Sequence, residues 1–356
     1  MSVHARTLRT IRTIGATVIG WIIAVFLGIW AIAESPFDPD HFVESILAGI
    51  VAGVVTYTVE HSPALLAATR KLSAGRIVIV RTAIYTFLIT FFVLLVSALR
   101  APFVRGLDPF DIFSDEKFHT FLFGGQFYIL LAILLVTSFT ISFLREVHRM
   151  FGPGLLLKLM LGTYHRPIEE NRIFMFLDLN ESTTIAEKLG PIRFAEFKND
   201  FFHDLAGPVL ETRGEVVQYV GDEVVLTWKT ERGVRDANWL RCFFLIREKI
   251  TAVREEYLRR YGMSPAFKAG CHSGVVVTTE VGDLKRGIAH SGDTVNTAAR
   301  IEGECRRLSR DFLVSETLYR RTTVPENVEA TDMGEVLLRG KSEALRLWSV
   351  DSMNGV

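Results

Sequence analysis

Cysteine is scarce in this chain: three in 356 residues, Cys242, Cys271 and Cys305, with no CxxC pair. An odd, scattered set builds neither a disulfide framework nor a zinc site. It reads as reduced thiols in a cytosolic domain. Charge of one sign is lacking too, because 40 basic residues cancel 40 acidic ones. No global charge therefore argues for nucleic acid. Histidine is missing from the interior of the apolar runs, since His41, His61, His119 and His148 lie at or beyond their ends. That excludes a haem held by axial histidines. No row of acids inside those runs marks a proton or cation path either.

What is abundant is apolar. The mean hydropathy is positive at +0.26, and 26 phenylalanines point towards lipid. The length suggests two domains, and the apolar excess lies in residues 1–144. Four stretches there approach the roughly 20 apolar residues a bilayer requires: Ile14–Ala33, Phe42–Val59, Ile77–Leu99 and Thr120–Leu144. Arg6, Arg9 and Arg12, then Arg70, Lys71 and Arg76, then Arg145 and Arg149 fall on one side. Glu34, Asp38, Asp40, Asp108, Asp111, Asp115 and Glu116 fall on the other. The positive-inside rule then predicts a multi-pass protein of the inner or plasma membrane with both termini cytoplasmic. Arg81, near a span end, is expected to snorkel. Ala31-Ile32-Ala33 resembles a cleavage site, but the run before it is too long for a signal peptide, so it is read as an uncleaved span. Gly49 and Gly53 make a GxxxG that reads slightly better as incidental than as a packing face. The membrane part is an anchor with a sensing role for an unidentified ligand, and the loop Arg100–His119 reads as a connection lying on the bilayer.

Residues 145–170 link the two parts. Gly152-Pro153-Gly154 must interrupt a helix descending from the fourth span. The apolar segment Leu155–Leu161 then needs a surface to cover it.

Beyond the linker, strands and helices alternate. Strands are expected at Arg172–Leu179, Ala266–Gly270, Val275–Val281 and Phe312–Ser315, with hairpins at Glu215–Trp228 and around Gly340. Helices are expected over 186–188 and 192–210, broken at Gly190-Pro191, and over about 235–261. The pattern suits an α+β layer with helices on one side of an antiparallel sheet. Three stretches carry chemistry. NRIFMFLDLNESTT (171–184) ends a strand at Asp178. EVVQYVGDEVVLTW (215–228) joins two apolar runs at Gly221-Asp222. IAHSGDTVNTAARIE (288–302) opens a helix with Asp293 or Thr294 as N-cap. A carboxylate at a strand end calls for a cation partner. Asn296 and Arg300, four apart, share a helix face and together suit a phosphate-like group; taken alone, the pattern also fits a capped, solvated helix.

The three stretches in this order resemble the class III nucleotide cyclases, the adenylate and guanylate cyclases, over residues 171–350. The resemblance implies a ferredoxin-like catalytic domain that works as a homodimer, with ATP or GTP as substrate and two Mg²⁺ or Mn²⁺ ions per site. It implies that Asp178 and Asp222 are the metal aspartates, helped by the Leu179 carbonyl. It implies that Asn296 and Arg300 orient the ribose and stabilise the α-phosphate. Arg339 would hold the terminal phosphates, with Lys341 as its neighbouring substitute, and Gln218 and Ala289 would stand in the base pocket.

The chain departs from that pattern in two places. Glu181-Ser182-Thr183 replaces a Gly-Phe-Thr or Gly-Ser-Thr. Gln218 stands where adenylate cyclases carry Lys and guanylate cyclases Glu, and Ala289 where adenylate cyclases carry Asp or Thr. A Gln amide satisfies adenine in one orientation and guanine in the other. ATP is favoured because Gln keeps the donor that Lys supplies. Production of cyclic AMP is expected; a guanylate cyclase, or a membrane receptor with a silent cyclase-like domain, stands as the alternative. A diguanylate cyclase fits less well, because Val220 occupies the second glycine of a GGDEF hairpin.

Overall fold

The computed structural model describes residues 3–32, 39–62, 65, 68–69, 72–105, 116–151, 155–283, 286–326 and 328–352. The chain divides into two compact units, Met1–Phe151 and Gly152–Val356.

The first unit is helical: α1 (Val3–Ile32), α2 (Pro39–Glu60), α3 (Ala74–Arg105), α4 (Glu116–Phe123) and α5 (Gly125–Phe151). Trp21, Ala52, Tyr85, Leu130 and Leu134 form its core. Ile19, Ile23 and Leu27 on α1 and Val136, Phe139 and Phe143 on α5 remain exposed, an apolar surface that water does not favour. Among the described residues two helices are long and apolar enough to cross a membrane, Ala74–Leu95 with 22 residues and Gly125–Met150 with 26. The apolar helices Thr17–Gly28 and Ser45–Glu60 are shorter. Two expectations are corrected here. The GxxxG is a packing face: a Cβ on Gly49 would lie 2.5 Å from Ile22 Cα, and one on Gly53 2.7 Å from Val18 Cα. Arg81 does not snorkel but pairs with Glu146 at 3.6 Å, both nearly buried.

The second unit begins with α6 (Leu155–Met160), and residues 152–154 lie outside the described set. Its sheet holds β1 (Ile168–Leu179), β2 (Glu215–Val220), β3 (Glu223–Lys229), β4 (Phe267–Val281), β5 (Gly287–Ser291), β6 (Phe312–Ser315), β7 (Val328–Val336) and β8 (Leu345–Ser352). The order is β2-β3-β1-β4-β6-β8-β7, with β5 paired to β4. Every pairing is antiparallel except β4 with β6.

β1 explains the layers. Arg172 to Leu177 are buried without alternation, so both faces of the central strand are covered. Ile173, Met175 and Leu177 face a core with Phe197, Phe201 and Phe243. That core is shared with α7 (Ser182–Leu189), α8 (Pro191–Glu211) and α10 (Asn238–Ala252). Phe174 and Phe176 face Val276 and Ala298, which places α12 (Asp293–Leu308) on the opposite face. The expected one-sided layer is therefore corrected to helices on both sides.

Other boundaries shift for local reasons. The helix foreseen over 235–261 is broken. A short α9 (Thr230–Val234) and a turn with left-handed Asp236 and Ala237 precede α10, and Val253 separates α10 from α11 (Arg254–Tyr261). The two strands foreseen in 266–281 are one continuous β4, bridged by small Gly270, Cys271, Ser273 and Gly274. The short α13 (Glu316–Tyr319) follows β6.

Candidate active site

Asp178 is the penultimate residue of β1, and Asp222 lies in the two-residue turn between β2 and β3. Gly221 takes φ 62°, the left-handed backbone that so short a loop asks of its first residue. The β1–β3 register sets Asp178 opposite Glu223. Asp178 and Asp222 come within hydrogen-bonding reach of each other. Burial, and then the nearby Asp222, hold the Asp178 carboxyl above its usual range despite Lys268. Burial also pushes Glu223 up to about 7, helped by Glu302, Asp178 and Asp222. Crowded carboxylates of this kind repel until a cation joins them.

Lys268 is one such cation. It is Asp178's register partner on β4, and its Nζ donates to Asp178 Oδ2 at 2.6 Å. It also pairs with Glu302 on α12. Hydrogen bonds to both acids outweigh burial and keep the Lys268 ammonium charged. Sequence reasoning missed both residues. The available signal was Lys268 itself, a charge pointing to the same face of β4 as two glycines that admit a helix.

Those glycines set the position of α12. A Cβ on Gly270 would overlap the Glu302 backbone, lying 2.6 Å from its Cα, and one on Gly274 would strike Thr294 Oγ1. Cys305 Sγ donates to Ala269 O at 3.3 Å and fastens the next turn. The N-cap of α12 is Gly292, not Asp293 or Thr294. Both side chains are engaged elsewhere, for Asp293 pairs with Lys341 and Thr294 Oγ1 donates to Val275 O at 2.8 Å.

Midway along α12 Arg300 Nη1 reaches Gly340 O at 3.5 Å. Gly340 has φ 71° in the turn between β7 and β8, closed by Lys341 N donating to Leu338 O at 3.0 Å. Asn296 and Arg339 are exposed. The structure thus gathers Asp293, Arg300 and Lys341 into one cluster and Asp178, Asp222, Glu223, Lys268 and Glu302 into another. It is Lys341, not Arg339, that is tied to α12.

Gln218 is exposed on β2, the sheet's edge strand, just past a bulge at Val216/Gln218. Ala289 is half-buried on β5 opposite Thr279. Leu179 is buried at the end of β1, opposite Phe267. Glu181 is exposed with φ 54°, so a residue with a side chain adopts the left-handed backbone at the position where cyclases usually have glycine.

Two carboxylates held together at a strand end and a hairpin turn offer the hard oxygen donors that suit Mg²⁺ or Mn²⁺. Among the described residues no group of three or more His, Cys, Asp and Glu forms a ready metal cage. The donor set therefore fits cations that bring further oxygens from water and a polyphosphate.

A family model described as the adenylate and guanylate cyclase catalytic domain matches residues 164–350. The chain belongs to that family. A relative named Adenylate cyclase 2, from Rhizobium meliloti (strain 1021), is 40% identical over 220 residues, covering 62% of this chain and 61% of that protein. An adenylate cyclase of Anabaena cylindrica is 27% identical over 182 residues, 49% of this chain and 36% of its own. The chain thus spans less than two thirds of either relative. A bacterial light-regulated adenylyl cyclase of known structure shares the cyclase fold with a TM-score of 0.50 at 20% identity, over 61% of this chain and 64% of that one.

Proposed function

We propose that the protein is a membrane-anchored adenylate cyclase that converts ATP to 3′,5′-cyclic AMP and pyrophosphate at a homodimer interface. The observation that carries this reading is the Asp178–Asp222 pair in a chain that belongs to the cyclase family. Asp178 and Asp222, with the Leu179 carbonyl, would hold two Mg²⁺ or Mn²⁺ ions. When bound, such ions supply charge neutralisation of the triphosphate and polarisation at the α-phosphate. Arg300 and Asn296 lie along α12 to orient the ribose and meet charge developing on the α-phosphate as the 3′-oxygen attacks. Lys341, with Arg339 beside it, offers the positive charge for the terminal phosphates that depart as pyrophosphate. Gln218 and Ala289 line the base subsite.

The acid cluster and the Arg300–Lys341 cluster are separate groups, which supports a reading in which each completes a site with the other cluster of a second copy. Residues 1–144 would be the membrane anchor with four spans, 145–170 the linker and 171–350 the catalytic domain. Arginine placement favours a cytoplasmic catalytic domain and cytoplasmic termini in the inner or plasma membrane. The anchor would also receive an unidentified ligand.

The test is incubation of the purified protein with Mn²⁺ and either ATP or GTP, followed by identification of the product. Cyclic AMP from ATP, lost in Asp178→Ala, is expected. Cyclic GMP as the main product would shift the reading to a guanylate cyclase. Absence of either would leave the cyclase domain a silent dimerisation module.

A further inference from the structure

The helical unit gathers its buried charges into one layer. Tyr85 Oη on α3 donates to Glu60 Oε1 on α2 at 2.8 Å, and Arg145 on α5 pairs with the same carboxylate. Arg145 Nη2 also donates to Thr17 Oγ1 on α1 at 3.0 Å, while Arg81 on α3 faces Glu146 on α5. All four helices meet there, since α1 and α3 each pack on both α2 and α5. Each acid of the layer has an arginine, so the layer offers no charge to a further partner.

Next to it lies a layer of a different kind. Trp21 is one turn from Thr17 along α1, Thr56 one turn from Glu60 along α2, and Ser142 one turn from Glu146 along α5, with Ser138 a turn beyond. Thr82 and Thr86 follow Arg81 on α3. None of these six is more than 9% exposed, and none of their side-chain polar atoms has a hydrogen-bond partner among the described residues. A hydroxyl in a helix can bond back to its own i−4 carbonyl, as Thr58 on α2 and Thr140 on α5 do at 2.9 Å and 2.8 Å. The buried set makes no such bond, which costs stability unless another molecule meets it. Water alone matches these walls poorly. The buried positions of α5 recur at every fourth residue, and Leu130 and Leu134 precede Ser138 and Ser142. One half of the interior therefore offers water nothing to bond.

We propose that the interior of the helical unit is a binding site for a neutral, lipid-soluble molecule, its hydroxyl or carbonyl head among the six buried polar side chains and its apolar body against Leu130 and Leu134. The proposal deepens, and rests on, the reading of residues 1–144 as an anchor that receives a ligand. Trp21 Nε1 can only donate, so the head must carry an accepting oxygen, while the Ser and Thr hydroxyls serve in either sense. A charged head would meet no unpaired counter-ion, and a neutral one needs none.

The experiment photolabels the full-length protein in detergent with 1-octanol carrying a diazirine, and maps the labelled residues by mass spectrometry. Label is expected on the buried faces of α3 and α5, displaced by excess 1-octanol but not by n-octane, which lacks the oxygen. Thr86→Val combined with Ser138→Ala should cut interior labelling by about tenfold, the scale of two neutral hydrogen bonds. Label confined to the exposed Val136, Phe139 and Phe143, or displaced equally by n-octane, overturns the inference. Should the double variant not fold, that competition in the wild type still decides. Without any alkanol the double variant should melt no lower than wild type, because two unpaired buried hydroxyls are gone. A lower melting temperature would show hydroxyls held by structural water and overturn the inference as well. Interior labelling with cyclic AMP production unmoved by 1-octanol would keep the site and overturn the receiving role of the anchor.

Discussion

The guanidinium of Arg172, only 1% exposed, donates from Nε to Oε2 of Glu170 at 2.8 Å, two residues away on the same face of β1. Around this pair the polar groups of several elements converge. Lys229 on β3 pairs with Glu170 at 2.8 Å, Tyr164 and Thr278 donate to it, and Glu215 on β2 accepts from Arg172 and from Lys158 on α6. Burial opposes the Glu170 charge, yet hydrogen bonds from Lys229 and Arg172 hold its carboxyl down at about 2. A buried ion pair adds little over an apolar replacement, but removing one partner is costly. Arg172→Met leaves Glu170 with Lys229 and Glu215 with Lys158 but removes the buried guanidinium that joins the two acids, and is expected to destabilise the second unit by about 1–3 kcal/mol. Unfolding monitored by tryptophan fluorescence checks this, since Trp228 and Trp239 are buried in this unit. A loss below about 1 kcal/mol would show that the network relaxes around the gap.

A second expectation concerns packing. Gly270→Ala places a methyl group against the Glu302 backbone, where neither strand nor helix can yield cheaply. Overpacking of this kind costs about 1–3 kcal/mol. Because α12 carries Asn296 and Arg300, cyclisation should fall by more than the stability loss implies. Turnover equal to wild type at a temperature where the variant is fully folded would contradict that link.

The histidines give a pH dependence. Burial, then Lys341, pushes His272 down to about 4, and burial, then Arg172, does the same to His290. His272 shares a 2.7 Å contact with Ser315 Oγ, and His290 Nδ1 lies 2.9 Å from Thr278 Oγ1. The unfolded chain binds protons below about 6.5, while the folded chain resists them until about 4. Their stabilising contribution is thus complete above 6.5 and declines as pH falls towards 4. Melting temperatures between pH 7 and pH 5 should drop, and His290→Gln should flatten the slope. A slope unchanged in that variant would remove His290 from the account.

Much of this was legible in the chain. Gly221-Asp222 between two apolar runs announced the hairpin that carries Asp222, and Gly190-Pro191 announced the break between α7 and α8. What escaped depended on contacts distant in sequence. The doubly buried β1 reads as one apolar run whichever face its helices cover, so α12 was placed on the wrong side. Gly292 displaced Asp293 as the cap of α12 because Lys341, 48 residues on, takes the aspartate. Lys268 was overlooked because only the β1–β4 register brings it to Asp178. The GxxxG at Gly49 was undervalued because its partners, Val18 and Ile22, lie on another helix.

The two-cluster arrangement predicts complementation. On the proposed assignment Asp222→Ala would remove one metal carboxylate and Arg300→Ala the α-phosphate partner, so each variant assembled with itself should be inactive. Co-assembled heterodimers should regain activity, because one of their two interfacial sites keeps every residue while the other loses both. Verified heterodimers that stay inactive would mean that both clusters serve the same site within one chain.

The last expectation is placed at Gln218, on the edge strand beside the bulge. If its amide reads the base edge, ATP should be only modestly preferred over GTP, since rotating the amide offers guanine its complementary face. A fixed donor or acceptor would discriminate more strongly, because a buried group left unpaired costs about 1–3 kcal/mol. Gln218→Lys should sharpen the ATP preference by opposing guanine N1–H with a donor. Gln218→Glu should shift the balance towards GTP by accepting from that same group. Ala289 has no polar side-chain atom to add to the reading, so the expected change of sign follows from the side chain at position 218. Relative rates with both nucleotides in the three proteins decide the matter: ratios that do not move would show that Gln218, exposed as it is, points away from the base.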